Sequence, residues 1–288
     1  MAVLVKCGQN GVIMTMMYKK LGIIAGGGCL PRLLIEHCRK TGRDYFVLAV
    51  ENNADKAVFS PDIPHQWVRI GQAGTGFKLF AEQGVEEVVM IGTIHRPSLA
   101  DLVPDLRTAT FFAKIGLKSL GDDGILRALI KEIESENMRV VAIQDVMPEL
   151  LVKSGILTKH KPDKQAKADI ERGIEAARTI GKLDIGQSVV VQQGLVLGVE
   201  GIEGTDELIK RCGAYQRKGV GGVLVKLRKP QQDMRIDLPT IGTRTIENIY
   251  AAGLRGVAVH AGNALIVDEP EVLKLADKYG LFVIGIEP

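Results

Sequence analysis

From Leu21 onward, short runs rich in β-branched residues alternate with stretches of helical periodicity. That alternation confines the chain to strand-helix-strand units carrying a largely parallel sheet. LGIIA (Leu21 to Ala25) predicts a buried strand, Gly26 to Gly28 a turn, and Pro31 the start of a helix that Gly42 ends. YFVLAV, Gln66 to Ile70 and EEVVMIGTI predict further strands, with a helix from Gly76 to Gln83 between the last two. Asp122 opens a helix whose Leu126, Leu129, Ile130 and Ile133 share one face, and MRVVAIQ follows as a strand.

The segment from Asp145 to Lys164 loses this periodicity. Pro148, Gly155 and Pro162 sit among lysines there, which marks an interdomain connection with a boundary near residue 145. Beyond it, Ile170, Ile174, Ala177 and Ile180 line one helix face, and Gly181 is expected to end that helix. VVV and LVLGV flank Gln192, Gln193 and Gly194 as a β-hairpin. Strand VLVKL, helix TRTIENIYAA, strand GVAVH, a short run LIV, helix PEVLKLADKYG and strand LFVIGI complete the chain. The expectation is an α/β protein of two domains, the 288 residues sufficing for two cores. A Rossmann-like parallel sheet occupies residues 19–145, a connection 146–164, and an α/β domain with a mixed sheet 165–288, preceded by an extra arm over 1–18.

The 37 basic and 34 acidic side chains nearly cancel, so no whole-molecule field draws in nucleic acid or an anionic membrane, and any anion binding must be local. Four cysteines without CxxC spacing give neither a disulfide framework nor a zinc signature, which suits the cytoplasm. No apolar run reaches the roughly eighteen residues a spanning helix needs.

Three segments carry the chemistry. In IAGGGCLP, a glycine-rich turn between strand and helix lets backbone amides approach a phosphate, and Glu51 at the end of the second strand is within reach of a ribose hydroxyl. Its spacing is neither the dinucleotide fingerprint nor the Walker motif, and it reads equally as a tight turn without a ligand. VEGIEGTDELIKR gathers Glu200, Glu203 and Asp206 around two glycines, hard oxygen ligands of the kind Mg²⁺ takes; Thr205 or Asp206 also reads as a helix cap. KLRKPQQDMRIDLPTIG interleaves Lys226, Arg228, Lys229 and Arg235 with Asp233 and Asp237 in a stretch broken by Pro230 and Pro239. Cations there hold non-bridging phosphate oxygens, while an aspartate binds metal or orients water. Arg96, closing the strand in GTIHRP, is a further ligand contact. His37, His65, His95, His160 and His260 have no metal spacing and read as structural or surface residues.

Taken in order, IAGGGCLP, GDDGILR, LDIGQSVVVQQGLVLGVEGIEGTDELIKR, KPQQDMRIDLPTIG and GLFVIGIEP resemble the UDP-2,3-diacylglucosamine pyrophosphatases of lipid A biosynthesis, of the LpxI type, over nearly all of residues 19–288. The resemblance implies a Mg²⁺-dependent hydrolase that directs water at the sugar-side phosphorus and releases UMP and 2,3-diacylglucosamine 1-phosphate, lipid X. It also implies two domains with the lipid between them, a homodimer, and transient peripheral contact with the inner face of the inner membrane. Carried onto this chain, the family's essential aspartate falls on Asp237, its glycine-rich loop on Gly26, Gly27 and Gly28, and its acidic segment on Glu200 and Glu203 with Thr205 and Asp206 beside them; together with the charges read above, Asp237, Lys226 and Arg235 are expected to be catalytic. Gly26, Gly27, Gly28, Leu30, Arg96, Asp123, Gln187, Thr205, Lys229 and Thr240 contact substrate, and Glu200, Glu203, Asp206 and Asp237 hold the metal. Two rival readings are an NAD(P)-dependent oxidoreductase, from the glycine-rich first turn, and a nucleotide-sugar binding protein without catalysis.

Overall fold

In a computed structural model that describes residues 18–94, 104–115, 122–235 and 238–288, the chain divides into two units, Met1–Met147 and Pro148–Pro288. Of residues 114, 115, 122 and 123 only the helical backbone is described. The proposed arm over 1–18 lies outside the described residues apart from Tyr18.

The first unit runs β1 (Leu21–Ala25), α1 (Leu30–Thr41), β2 (Tyr45–Val50), β3 (His65–Val68), α2 (Ala73–Glu82), β4 (Glu87–Ile91), α3 (Leu106–Ile115), α4 (Asp122–Glu134), β5 (Arg139–Val140) and α5 (Ile143–Val146). Its five strands are all parallel in the order β3-β2-β1-β4-β5, the doubly wound arrangement that places ligands at the carboxyl ends of the strands. Apolar residues fill both sheet faces: Pro31, Leu34, Ile35 and Cys38 seat α1, and Phe77 and Phe80 seat α2. Gly22 makes room for Phe80, whose ring would lie 2.9 Å from a Cβ at that position. As expected from the sequence, Gly42 closes α1 in the left-handed conformation, with φ 68°.

The second unit runs β6 (Gly155–Ile156), α6 (Lys164–Lys182), β7 (Ser188–Gln192), β8 (Leu195–Val199), α7 (Gly204–Gly213), β9 (Val223–Lys226), β10 (Thr240–Ile241), α8 (Thr243–Ala251), β11 (Gly256–His260), β12 (Leu265–Ile266), α9 (Glu269–Lys278) and β13 (Phe282–Ile286). Six strands form a mixed sheet ordered β6-β13-β11-β9-β7-β8, in which β9, β11 and β13 are parallel. One face packs Ala166, Ile170 and Ala177 of α6 on Val189, Val191, Val225, Leu227 and Ala258. The other packs α7, α8 and α9 on Val190, Leu224, Val257, Val259 and Val283. Helix α6 approaches closely because Gly173 has no side chain; a Cβ there would collide with Val225.

The hairpin is the two-residue kind, with Gln193 at φ 53° and Gly194 at φ 76°. Both turn amides donate to the fully buried Asp169 of α6, at 3.2 and 2.7 Å. That carboxylate satisfies the turn and fastens helix to hairpin.

Three local expectations are corrected. MRVVAIQ is a strand only at Arg139–Val140, because Asp145 turns back to accept the Ala142 amide at 3.4 Å and starts α5. Gly181 does not end its helix: α6 continues to Lys182, Gly181 packs on Pro230, and Asp184 takes the left-handed conformation instead. The run LIV joins Thr240–Ile241 in a separate two-stranded parallel sheet rather than the main sheet. The stretch expected as a connection carries structure of the second unit, since Gly155–Ile156 pairs with β13 and Val152 donates to Ala264 O at 2.9 Å. No helix among the described residues is long and apolar enough to cross a membrane.

Candidate functional site

In the first unit the three glycines fold the β1–α1 bend against the end of β4. Gly27 and Thr93 exchange backbone hydrogen bonds of 2.8 and 3.0 Å. A Cβ on Gly26 would sit 2.5 Å from Thr93 O and one on Gly27 2.8 Å from Asn53 O, so the glycines are required by backbone crossing before any ligand is considered. Leu30 follows as the first residue of α1. At the carboxyl ends of β2 and β3 lies a cleft of about 440 Å³ lined by Glu51, Asn52, Lys56, Phe59 and Trp67. Phe59 and Trp67 meet edge to face, with ring centroids 5.4 Å apart, and Glu51 holds Arg69 at 3.2 Å. An aromatic wall beside a carboxylate suits a planar base with an attached sugar hydroxyl.

In the second unit a chain of polar groups runs beneath the carboxyl end of β9, on the α7 face. Lys226 follows Leu224 on that face and is 7% exposed. Its ammonium donates to Thr205 Oγ1 at 2.9 Å and to Thr240 O at 3.1 Å. Thr205 Oγ1 in turn donates at 2.8 Å to Oε1 of Glu200, itself 6% exposed, and lies 3.3 Å from Ser188 Oγ. Glu200 Oε2 accepts the Gln187 amide at 3.2 Å. A buried ammonium and a buried carboxylate thus compensate each other through one hydroxyl, which is the condition under which such charges persist away from water.

The other carboxylates of the acidic turn point elsewhere. Glu203 is gripped by Arg211, at 2.8 and 3.2 Å, and accepts Gly201 N; its own backbone amide and Arg211 hold its carboxyl below the ordinary range. Asp206 accepts from Asn248 at 2.9 Å and pairs with Arg244 at 2.9 Å. Neither Thr205 nor Asp206 caps α7, whose N-cap is Glu203. Lys229 reaches Asp184 at 2.6 Å, and Arg235 forks onto Asp233 at 2.8 to 3.0 Å. Among the described residues no group of three or more His, Cys, Asp or Glu is placed to hold a metal ion. Glu200, Glu203 and Asp206 as they stand therefore do not fit a joint magnesium site.

Of the site residues expected from sequence, Gln187, Glu200, Thr205, Lys226 and Thr240 come together. Gly26, Gly27, Gly28 and Leu30 belong to the first unit. Arg96, Asp237 and the side chain of Asp123 lie outside the described residues. Sequence reasoning missed Ser188; its signal was a lone hydroxyl heading an apolar strand in register with Lys226.

Family models for the LpxI N-terminal domain and the LpxI C-terminal domain match residues 20–150 and 153–284. The chain belongs to the LpxI family. It is 39% identical over 277 residues to a protein of Caulobacter vibrioides named UDP-2,3-diacylglucosamine pyrophosphatase LpxI, covering 94% of this chain and 98% of that one. The junction between the two LpxI domain matches, 150 to 153, falls within a few residues of the division between the two units at 147 and 148.

Proposed function

We propose that this protein hydrolyses the pyrophosphate bond of UDP-2,3-diacylglucosamine, giving UMP and 2,3-diacylglucosamine 1-phosphate. The reading is supported by the full-length similarity to the Caulobacter vibrioides pyrophosphatase and by one feature of the site: the buried Lys226–Thr205–Glu200 chain at the carboxyl end of β9. A pyrophosphate diester resists water because its own negative charge repels a nucleophile. Lys226, oriented by Thr205 and Thr240 O, supplies fixed positive charge in a dry setting, where it needs no reorganisation as charge moves to the leaving UMP. Gln187 and Thr240 contact the same end of the substrate. Within the first unit, the Phe59–Trp67 cleft with Glu51 suits a nucleoside; Gly26, Gly27, Gly28, Leu30, Arg96 and Asp123 are substrate contacts in this reading.

Asp237 activates or orients the attacking water. Asp237 is the carboxylate that would hold Mg²⁺ in this reading, and the ion would supply charge neutralisation at the phosphates, since Mg²⁺ needs only one or two protein carboxylates. The same reading carries a cytoplasmic homodimer in transient contact with the inner face of the inner membrane. The full chain is tested by incubation with the lipid nucleotide in ¹⁸O-water, with Mg²⁺ or a chelator. The expected outcome is Mg²⁺-dependent UMP release with the label in the lipid phosphate. Label in UMP would move the attack to the other phosphorus, and no UMP at all would reduce the site to binding alone.

A further inference from the structure

At the carboxyl end of the second sheet three buried polar atoms have no hydrogen-bond partner: Gln187 Oε1, Arg228 Nε and His260 Nδ1. The strand register aligns two of their residues. Ser188 pairs with Lys226, and Lys226 with Val259, so the next residues outward, Gln187, Leu227 and His260, form one row across three neighbouring strands. Leu227 packs on the α6 side, and His260 follows Ala258 on the same side. Arg228 is the next residue along the chain, and its charge and that of Arg178 act on His260. Arg178 of α6 lies one residue past Ala177, which packs on this face, and the α6 end abuts Lys229 and Pro230.

The protonation of His260 follows from its neighbour. Asn263 Nδ2 can only donate, and it lies 3.3 Å from His260 Nε2, so Nε2 is the acceptor and the neutral ring carries its proton on Nδ1. The patch therefore offers two buried unpaired donors, Arg228 Nε–H and His260 Nδ1–H, beside one unpaired acceptor. A buried donor without a partner forfeits its hydration, so two at one end of the sheet need an explanation. A bound water would leave the charge of the arginines uncancelled. Among the described residues neither Arg178 nor Arg228 forms an ion pair. Consistent with this, burial first, then Arg228 and Arg178, hold His260 below its ordinary 6.5.

We infer that Gln187, Arg228, His260 and Arg178 form an anion subsite for a phosphate-type oxyanion at the carboxyl end of the second sheet. Oxygens of the anion accept from Arg228 Nε and His260 Nδ1, and a hydroxyl of a monoprotonated phosphate donates to Gln187 Oε1. Arg178 closes the solvent side. The inference needs only an oxyanion; it shares Gln187, a substrate contact, with the hydrolytic reading.

The test is a titration of the full-length protein with inorganic phosphate, followed by histidine side-chain nitrogen resonances, with His260 assigned through H260N. The expected result is a saturable shift of His260 and an upward move of its titration midpoint. R228Q should weaken phosphate binding roughly tenfold or more, as loss of a charge-assisted hydrogen bond requires. R178Q, at an exposed position, should weaken it severalfold while the near-ultraviolet circular dichroism is unchanged. A wild-type protein whose His260 never responds, or variants that bind phosphate as the wild type does, would overturn the subsite. Inhibition kinetics then identify the source. Competition with the lipid nucleotide, with a raised KM in R228Q, assigns the anion to the substrate's own phosphate; binding without effect on hydrolysis assigns it to free phosphate. Both results retain the site.

Discussion

The carboxyl ends of the two sheets are built from different materials. In the first unit the loops are shaped by backbone: Gly26 and Gly27 let the bend press on Thr93 O and Asn53 O, and no side chain takes part in that crossing. In the second unit the strand ends are shaped by buried side chains, with Glu200, Thr205 and Lys226 filling one another's hydrogen-bonding needs. A backbone-built bend fails by steric collision when a Cβ is added. A side-chain-built site fails when one partner is removed and another is left charged in the dark.

The comparison breaks most sharply at Asp237. Asp237→Ala should lower hydrolysis by about three orders of magnitude or more, with substrate binding and thermal unfolding little changed; near wild-type turnover would remove the residue from the chemistry. Lys226→Met should cost about a hundredfold in kcat and also about 3 kcal/mol of stability, because Glu200 stays buried without its cation. Adding Glu200→Gln should restore much of that stability in denaturant titrations without restoring kcat. If the double variant is no more stable than the single one, the two charges are not coupled as described.

Gly26→Ala probes the backbone-built side. A Cβ there would lie 2.5 Å from Thr93 O, and overpacking of this kind costs about 1–3 kcal/mol, read as a lower urea midpoint. An unchanged midpoint would mean the bend can widen. The smallest effect is expected at Asp163, whose side chain caps α6 through Ala166 N at 2.7 Å and holds Arg255. Asp163→Ala should cost about 1 kcal/mol. Because Ala166 N and Arg255 hold the folded-state pKa below its ordinary 3.8, this contribution is present above that pH and is lost as pH falls through the folded value. Wild type and variant melting temperatures should therefore converge in strong acid; a constant gap would deny the linkage.

Much of the scaffold was legible in order: β-branched runs gave the parallel strands, Gly42 the end of α1, and Gly194 the hairpin turn. What eluded the sequence was the choice of partner. The spacing of Glu200, Glu203 and Asp206 does not reveal that Arg211 claims the second and Arg244 with Asn248 the third, leaving Glu200 to face Thr205. Such choices depend on helix phase and rotamer, and the partners arrive from distant elements. His260, read as a structural or surface histidine, changes meaning only once its ring is seen buried without a partner at Nδ1 and under the charge of Arg228.

The contact of Gly173 with Val225 fixes a spacing that gradual substitution cannot adjust. Every step away from glycine is a step outward, so the rod on which Arg178 rides can only be lifted from the sheet, never nudged sideways. In a lineage that remodels this end of the molecule, change at position 173 should therefore arrive together with a smaller residue at 225, or not at all.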